Sequence, residues 1–159
     1  MMTEPFTLER ATHSLRFQRR IRASMDWLFR AWTEPAQLRL WWDPTGKPLI
    51  RAEVDLRPGG RMTLVTADHA AHPFVAVYTR IEPPHRLEFD AMGAHGTVTL
   101  RALGDETEVL VEIRCASADD LEQMLKMGVA QGTAVTLDNL TAHAAGPMAG
   151  WAGGPPPSV

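Results

Sequence analysis

Residues 117–146 carry the sequence SADDLEQMLKMGVAQGTAVTLDNLTAHAAG, and its spacing predicts one long helix. Ser117 is a suitable N-cap, the aspartates that follow complement the helix dipole, and Gly146-Pro147 ends the helix. A helix of about 29 residues is roughly 40 Å long. It therefore needs a broad apolar surface to cover its stripe of apolar and small residues, which comprises Leu121, Met124, Leu125, Gly128, Val129, Gly132, Thr136, Leu140 and His143.

The region before this helix supplies that surface, because its apolar residues recur with a period of two. Six strands are predicted, near residues 49–57, 61–67, 74–81, 86–91, 97–103 and 107–115. The links between them are short and rich in glycine and proline, and one turn is placed at Gly93-Ala94-His95-Gly96. Parallel crossovers need a dozen or more residues, so we predict an antiparallel meander.

The N-terminal third predicts one more strand and two short helices. Residues 14–23 alternate as a half-buried strand with a basic outer face, although Arg19 interrupts the pattern. Ser24 begins the first helix, and Thr33-Glu34-Pro35 begins the second. The chain is therefore expected to form an α+β domain of about seven strands, in which one antiparallel sheet curls around the last helix.

Composition and charge limit the possible functions. A length of 159 residues predicts a single domain over residues 13–145, with a short lead at 1–12 and a Gly/Pro-rich tail at 146–159. The net charge of −3 offers no basic field for a nucleic-acid partner. No signal peptide or membrane-spanning stretch is recognisable, so we expect a cytoplasmic protein without a membrane partner.

Few residues suggest metal or nucleophilic chemistry. His69 and His72 have near-ligand spacing, but zinc needs three or four converging ligands, so they are interpreted as solvated loop residues. No metal and no cofactor are expected. Cys115 ends an apolar row and is interpreted as an inert buried thiol.

Two glycines and one tryptophan in the helices need an explanation. A glycine inside a helix costs about 0.5–1 kcal/mol relative to alanine. For Gly128 and Gly132, close approach of the sheet and room for a ligand both remain open. Trp27 lies off the apolar stripe of its helix and is expected to be partly exposed, whereas Trp32 and Trp41 are expected in the core.

Five short motifs in a fixed order resemble the Hsp90-ATPase-activator-like family of the START-like superfamily. They are Ala31-Trp32-Thr33-Glu34-Pro35 with Leu38, Trp41-Trp42-Asp43-Pro44, Asp55-Leu56-Arg57-Pro58-Gly59-Gly60-Arg61, Ile81-Glu82-Pro83-Pro84-His85-Arg86-Leu87, and residues 132–140. The resemblance covers about residues 13–145. It implies a helix-grip fold of the START-like (Bet v 1-like) type, with a hydrophobic cavity between the concave face of the sheet and the last helix. Members are mostly described as binding small apolar ligands or as having no known activity.

The resemblance has one informative departure. The family often has Gly-Trp where this chain has Gly132-Thr133, and the loss of that indole would change the volume and lining of the cavity. Hsp90 binding is the less favoured expectation, because related eukaryotic co-chaperones use an additional N-terminal domain for which this chain has no room.

We therefore predict a module that binds a small apolar or amphipathic ligand, for example a lipid. The predicted cavity residues are Phe29, Trp32, Trp41, Tyr78, Arg80, Phe89, His95, Val111, Ile113, Met124, Gly128, Gln131, Gly132, Val135 and Thr136. Four of these are expected to supply polar anchors: Tyr78, Arg80, His95 and Gln131.

Two alternatives remain open. An enzyme such as a cyclase or hydrolase would need an acid–base pair in the cavity, for which Asp90 with His95 and Tyr78 with Gln131 are conceivable. A protein-interaction role, either Hsp90 binding or homodimer formation, would require a large exposed apolar patch.

Overall fold

The computed structural model describes residues 6–146. Within that range eight strands follow one another: β1 (Thr7–Glu9), β2 (Ser14–Ile21), β3 (Arg51–Val54), β4 (Arg61–Val65), β5 (Phe74–Glu82), β6 (Arg86–Ala91), β7 (Ala94–Leu103) and β8 (Glu106–Cys115). The helices are α1 (Met25–Thr33), α2 (Pro35–Trp41), α3 (Ala118–Lys126) and α4 (Val129–Ala144), with single 3-10 turns at Arg10–Thr12 and Ala67–His69. Residues 1–5 of the predicted lead and residues 147–159 of the predicted tail lie outside the described residues.

All eight strands form one antiparallel sheet in the order β1-β2-β8-β7-β6-β5-β4-β3. The α+β helix-grip architecture predicted from the sequence is confirmed, with eight strands instead of about seven. The additional strand is β1, which lies within the predicted lead and pairs Leu8 with Leu15 of β2. Three residues are too few for a period of two to be recognised in the sequence.

The turn between β6 and β7 lies two residues earlier than the sequence predicted. Ala91 pairs with Ala94, so Met92 and Gly93 alone form the turn, and both have positive φ values of 55° and 74°. This is the conformation of a two-residue hairpin turn, whose twist matches that of the strands. His95 and Gly96 consequently belong to β7 and point to opposite faces of the sheet.

The predicted long helix is divided at Met127 and Gly128 into α3 and α4. Gly128 has φ +78° and is the N-cap of α4 without a capping side chain. A Cβ built there meets no atom within 4 Å. Neither close approach of the sheet nor room for a ligand therefore explains this glycine; the left-handed backbone between the two helices does.

The helices cover the inner face of the sheet, on which Leu15, Phe17 and Ile21 of β2 are buried. The side chain of Arg19, which interrupts this row, reaches α4: its Nε donates to Asp138 Oδ1 at 3.2 Å. The exception in the alternation is therefore a link between the first long strand and the last helix.

The two short helices after β2 form as expected. Ser24 Oγ accepts a hydrogen bond from Trp27 N at 3.1 Å and so caps α1. Trp32 and Trp41 are buried and meet edge to face with ring centroids 4.9 Å apart. The expectation for Trp27 was wrong, since only 9% of it is exposed. Its ring packs against His143 of α4 with centroids 5.3 Å apart, a partner that the helical pattern of α1 alone does not reveal.

Candidate functional site: an apolar cavity under the last helix

The inner face of the sheet encloses a cavity of about 240 Å³ at one end. Here β5 and β7 begin and β6 and β8 end, so that Phe74, Ala91, Ala94 and Ile113 lie close together. The other walls come from α4, Trp32 of α1 and the segment after α2. The lining residues are Trp32, Trp42, Pro44, Phe74, Phe89, Ala91, Met92, Ala94, Gly96, Val111, Ile113, Met124, Val129, Gly132, Thr133, Thr136 and Leu137.

The sheet side of the cavity is hollow because small residues stand where the neighbouring strands carry large ones. Phe89 of β6 pairs with Gly96 of β7, and a Cβ built on Gly96 lies only 2.8 Å from Cε2 of the Phe89 ring. The ring therefore lies over the glycine, a position that no other residue would allow without movement. Ala91 and Ala94, the next pair, leave the space beside this ring empty.

Aromatic rings form the side walls. Trp42 lies 6.4 Å from Trp32 and 5.1 Å from Phe74, measured between ring centroids. Such edge-on and tilted pairs are favourable arrangements of aromatic rings and fix one another's orientation. Met92, in the turn between β6 and β7, lines the cavity and is 57% exposed. It therefore marks the side on which the cavity meets solvent.

Helix α4 is held over the cavity by polar side chains that bond to the end of α2. Thr136 Oγ1 donates to the Trp42 carbonyl at 3.0 Å, and Asn139 Nδ2 donates to the Asp43 carbonyl at 3.1 Å. His143 Nε2 lies 2.6 Å from Gln37 Oε1. Burial lowers the pKa of His143, which keeps the ring neutral near pH 7.

Two of the α4 residues that face the cavity, Gly132 and Thr133, are small. Gly132 has room, since a Cβ there would meet only Pro44 Cγ at 3.8 Å. Thr133 also lines the cavity. Its hydroxyl forms no hydrogen bond within the described part of the chain. The hydroxyl of Thr136, in contrast, is already bonded to the protein.

Seven of the fifteen predicted cavity residues lie at this cavity: Trp32, Phe89, Val111, Ile113, Met124, Gly132 and Thr136. The other eight do not line it. Phe29, Trp41 and Tyr78 are buried in the packed core, and Gln131 and Val135 lie on the solvent side of α4. Gly128 lies at the break between α3 and α4.

The expected polar anchors lie away from the cavity. Arg80 is exposed and bonds to Glu82 at 2.9 Å. Tyr78 is fully buried, and its hydroxyl has no hydrogen-bond partner within residues 6–146. Desolvation raises the pKa of Tyr78 to about 12. Gln131 is exposed, so Tyr78 and Gln131 form no pair in the cavity.

His95 and Asp90 do form a pair, but on the outer face of the sheet. His95 Nδ1 lies 2.7 Å from Asp90 Oδ1, and its Nε2 lies 2.8 Å from Glu88 Oε1. Gly96 lines the cavity, so alternation along β7 directs the neighbouring His95 outward. The hydrogen bond to Asp90 raises the pKa of His95; desolvation opposes this rise, and the bond to Glu88 adds to it.

The structure also tests the other residues considered for chemistry, namely possible metal ligands and Cys115. Among residues 6–146, no group of three or more His, Cys, Asp or Glu side chains is placed to hold a metal ion. Cys115 is buried, with its Sγ 3.8 Å from Met124 Sδ, and desolvation raises the pKa of its thiol. A buried thiol with a raised pKa is a poor nucleophile.

Ten lining residues were not predicted: Trp42, Pro44, Phe74, Ala91, Met92, Ala94, Gly96, Val129, Thr133 and Leu137. Some could have been found, since Ala91 lies two residues after Phe89 and shares its face. Trp42 and Pro44 could not have been found in this way, because they belong to a segment whose apolar residues show no helical or strand periodicity.

Comparison with known proteins places this architecture in a family. The profile of the family described as "Activator of Hsp90 ATPase homolog 1-like protein" matches residues 22–145, which is most of the chain. The chain belongs to this family. A comparison with curated proteins gives no match.

Solved structures of other proteins show the same fold. Protein Ms6760 from Mycobacterium smegmatis is 22% identical, with a TM-score of 0.75 over 88% of this chain and 96% of that one. Protein NE0264 from Nitrosomonas europaea is 19% identical, with a TM-score of 0.75 over 83% and 94%. CalU16 from Micromonospora echinospora is 27% identical, with a TM-score of 0.61 over 80% and 73%. In the part of this chain that the structure describes, no helix has the length and apolar character to cross a membrane.

Proposed function

We propose that this AHSA1-like chain is a ligand-binding module that holds a small apolar molecule between the sheet and α4. The supporting observation is a cavity of about 240 Å³ whose seventeen lining residues include no ionisable side chain. An empty cavity of this size leaves its lining without partner atoms on one side. An apolar occupant would restore those interactions and leave water at the same time.

Apolar burial alone gives only weak binding. A ligand that buries roughly 300 Å² of apolar surface gains about 7 kcal/mol by transfer from water. Association costs at least about 4 kcal/mol. The difference of about 3 kcal/mol corresponds to a dissociation constant in the millimolar range. Apolar test compounds are therefore expected to bind weakly, and tight binding requires additional polar interactions.

The cavity lining does not favour the enzyme alternative. Neither acid–base pair considered from the sequence lies there: Asp90 and His95 are on the outer face, and Tyr78 is separated from Gln131. For the interaction alternative, the large exposed apolar side chains come from separate segments of the chain, for example Leu40, Met92 and Met127. Homodimer formation and Hsp90 binding stay predictions.

The proposed function can be tested by filling the cavity from α4. Thr133→Trp restores the indole that the family often carries, so the fold is expected to accept it. Gln131→Trp adds the same indole on the solvent side of the same helix and is the matched control. Toluene and 1-decanol are titrated into each full-length protein while the tryptophan indole N–H signals are followed by NMR.

We expect wild type and Gln131→Trp to bind at least one compound, with chemical-shift changes at the indole N–H groups of Trp32 and Trp42. Thr133→Trp should bind the same compound at least tenfold more weakly. A tenfold weaker affinity corresponds to a loss of about 1.4 kcal/mol of binding free energy. Absence of binding to wild type, or equal binding to all three proteins, would refute the proposed function. Circular dichroism and thermal unfolding establish that each variant is folded.

A further inference from the structure

The lining of the cavity disfavours a charged group inside it. None of its seventeen residues carries an ionisable side chain, and the ion pairs of the neighbouring strands lie on the outer face. A carboxylate or ammonium group in the cavity would lose its hydration without gaining an opposite charge, which is strongly unfavourable. The part of the occupant that lies inside the cavity is therefore uncharged.

The size and walls of the cavity favour a flat molecule with two rings. An engineered cavity of about 150 Å³ lined by Leu, Ile and Phe binds benzene. The cavity here is about 240 Å³, which leaves space for a second fused ring. Four aromatic side chains line it, namely Trp32, Trp42, Phe74 and Phe89. Aromatic rings pack against one another in offset and edge-on arrangements that a flat occupant can continue.

Thr133 supplies one position for a hydrogen bond. Two hydroxyl groups line the cavity, and that of Thr136 already donates to the Trp42 carbonyl. The hydroxyl of Thr133 is unbonded within residues 6–146 and can both donate and accept. The indole N–H of Trp32 also lacks a partner in that range, but it is buried in the wall, so the ring rather than the nitrogen borders the space.

We propose that the cavity takes an uncharged, fused two-ring aromatic compound with a single hydroxyl group, which hydrogen-bonds to Thr133. This assignment rests on the proposed function, because it names the ligand class of the same cavity. It adds three requirements that apolar binding alone does not make: aromatic shape, absence of charge, and one polar group directed at α4.

The test compares four compounds on two full-length proteins. The compounds are 2-naphthol, naphthalene, 2-naphthoate and 1-decanol, and the proteins are wild type and Thr133→Val. Valine keeps the shape of threonine and removes only the hydroxyl. Dissociation constants at pH 7 are measured by NMR titration, and naphthalene reports whether the variant keeps an intact cavity.

For wild type, we expect 2-naphthol to bind at least as tightly as naphthalene, and 2-naphthoate at least a hundredfold more weakly than 2-naphthol. In Thr133→Val, the hydroxyl of 2-naphthol is buried without a partner, so binding should weaken about tenfold, while naphthalene binding is unchanged.

The possible failures are distinguishable. Equal affinity of 2-naphthol for both proteins would overturn the role of Thr133. Comparable affinities of 2-naphthoate and 2-naphthol would overturn the exclusion of charge. Binding of 1-decanol without binding of any two-ring compound would overturn the ligand class and leave the proposed function intact. If none of the four compounds binds to wild type, the ligand class and the proposed function both fail.

Discussion

The two ends of the sheet's inner face both carry apolar residues but are packed very differently. At one end Leu87, Leu100 and Val109 are buried and α1 packs against β7. At the other end the strands present Ala91, Ala94 and Gly96. Helix α4 presents Gly132 and Thr133 to the same space. A cavity forms where small residues of the sheet face small residues of the helix, so side-chain volume at facing positions distinguishes the two ends, and hydrophobicity does not.

The largest difference is expected between two fully buried leucines. Leu28 of α1 lies in the packed end, and Leu137 of α4 lines the cavity; both are 0% exposed. Leucine-to-alanine substitutions in cores cost about 2–5 kcal/mol, depending on how far the surrounding side chains can close the space that the leucine filled. We expect Leu28→Ala near the upper end of this range and Leu137→Ala near the lower end, because the cavity beside Leu137 gives the neighbouring side chains room to move into the space that the leucine leaves.

Urea unfolding of both variants measures this difference. An equal or larger loss of stability in Leu137→Ala would show that the space beside Leu137 is filled in solution, and the contrast between the two ends would no longer hold.

An intermediate effect on the free energy of unfolding is expected when glycine is replaced by alanine at Gly128, between α3 and α4, and at Gly132 of α4. Gly132→Ala should raise the free energy of unfolding by up to about 1 kcal/mol, because alanine is the better helix former and the new Cβ meets nothing closer than 3.8 Å. Gly128→Ala should lower it by about 1–2 kcal/mol, since φ is +78° there. Thermal unfolding of both proteins measures the opposite signs; the same sign for both would contradict the break between α3 and α4.

The smallest effect concerns the outer surface of the hollow end, where His95 lies between Asp90 and Glu88. The pKa of His95 is raised in the folded protein above its ordinary value of 6.5. Its contribution to stability is therefore fully present below pH 6.5 and is lost as the pH rises through the folded pKa. His95→Gln should reduce this loss of stability, as measured by urea unfolding at several pH values. If the free energy of unfolding of His95→Gln depends on pH in the same way as that of wild type, His95 makes no pH-dependent contribution to stability.

The sequence was sufficient for the overall architecture because most of the long elements have their own local signal. The period of two in residues 97–115 and the cap at Ser117 predict strands and a helix without reference to one another. The same alternation places Phe89, Val111 and Ile113 on the face that lines the cavity. These predictions succeed because a strand fixes the direction of every second side chain.

The cavity itself was only partly predictable, for three physical reasons. The β6–β7 turn contains Met92 with positive φ, which side chains rarely adopt, so the sequence predicts the turn too late and places His95 at the cavity. Pro44 reaches the lining from a loop whose path depends on the bonds between α4 and the end of α2. The empty space beside Thr133 depends on which small residues face one another across layers, and no single segment shows this.

The most direct measurement is a crystal structure of the full-length protein under xenon pressure. Xenon enters preformed dry apolar cavities and needs no specific polar partner. We expect xenon density between Phe89, Val111 and Thr133, with the surrounding side chains unmoved. The same space occupied by side chains or by ordered water, with xenon absent, would contradict it.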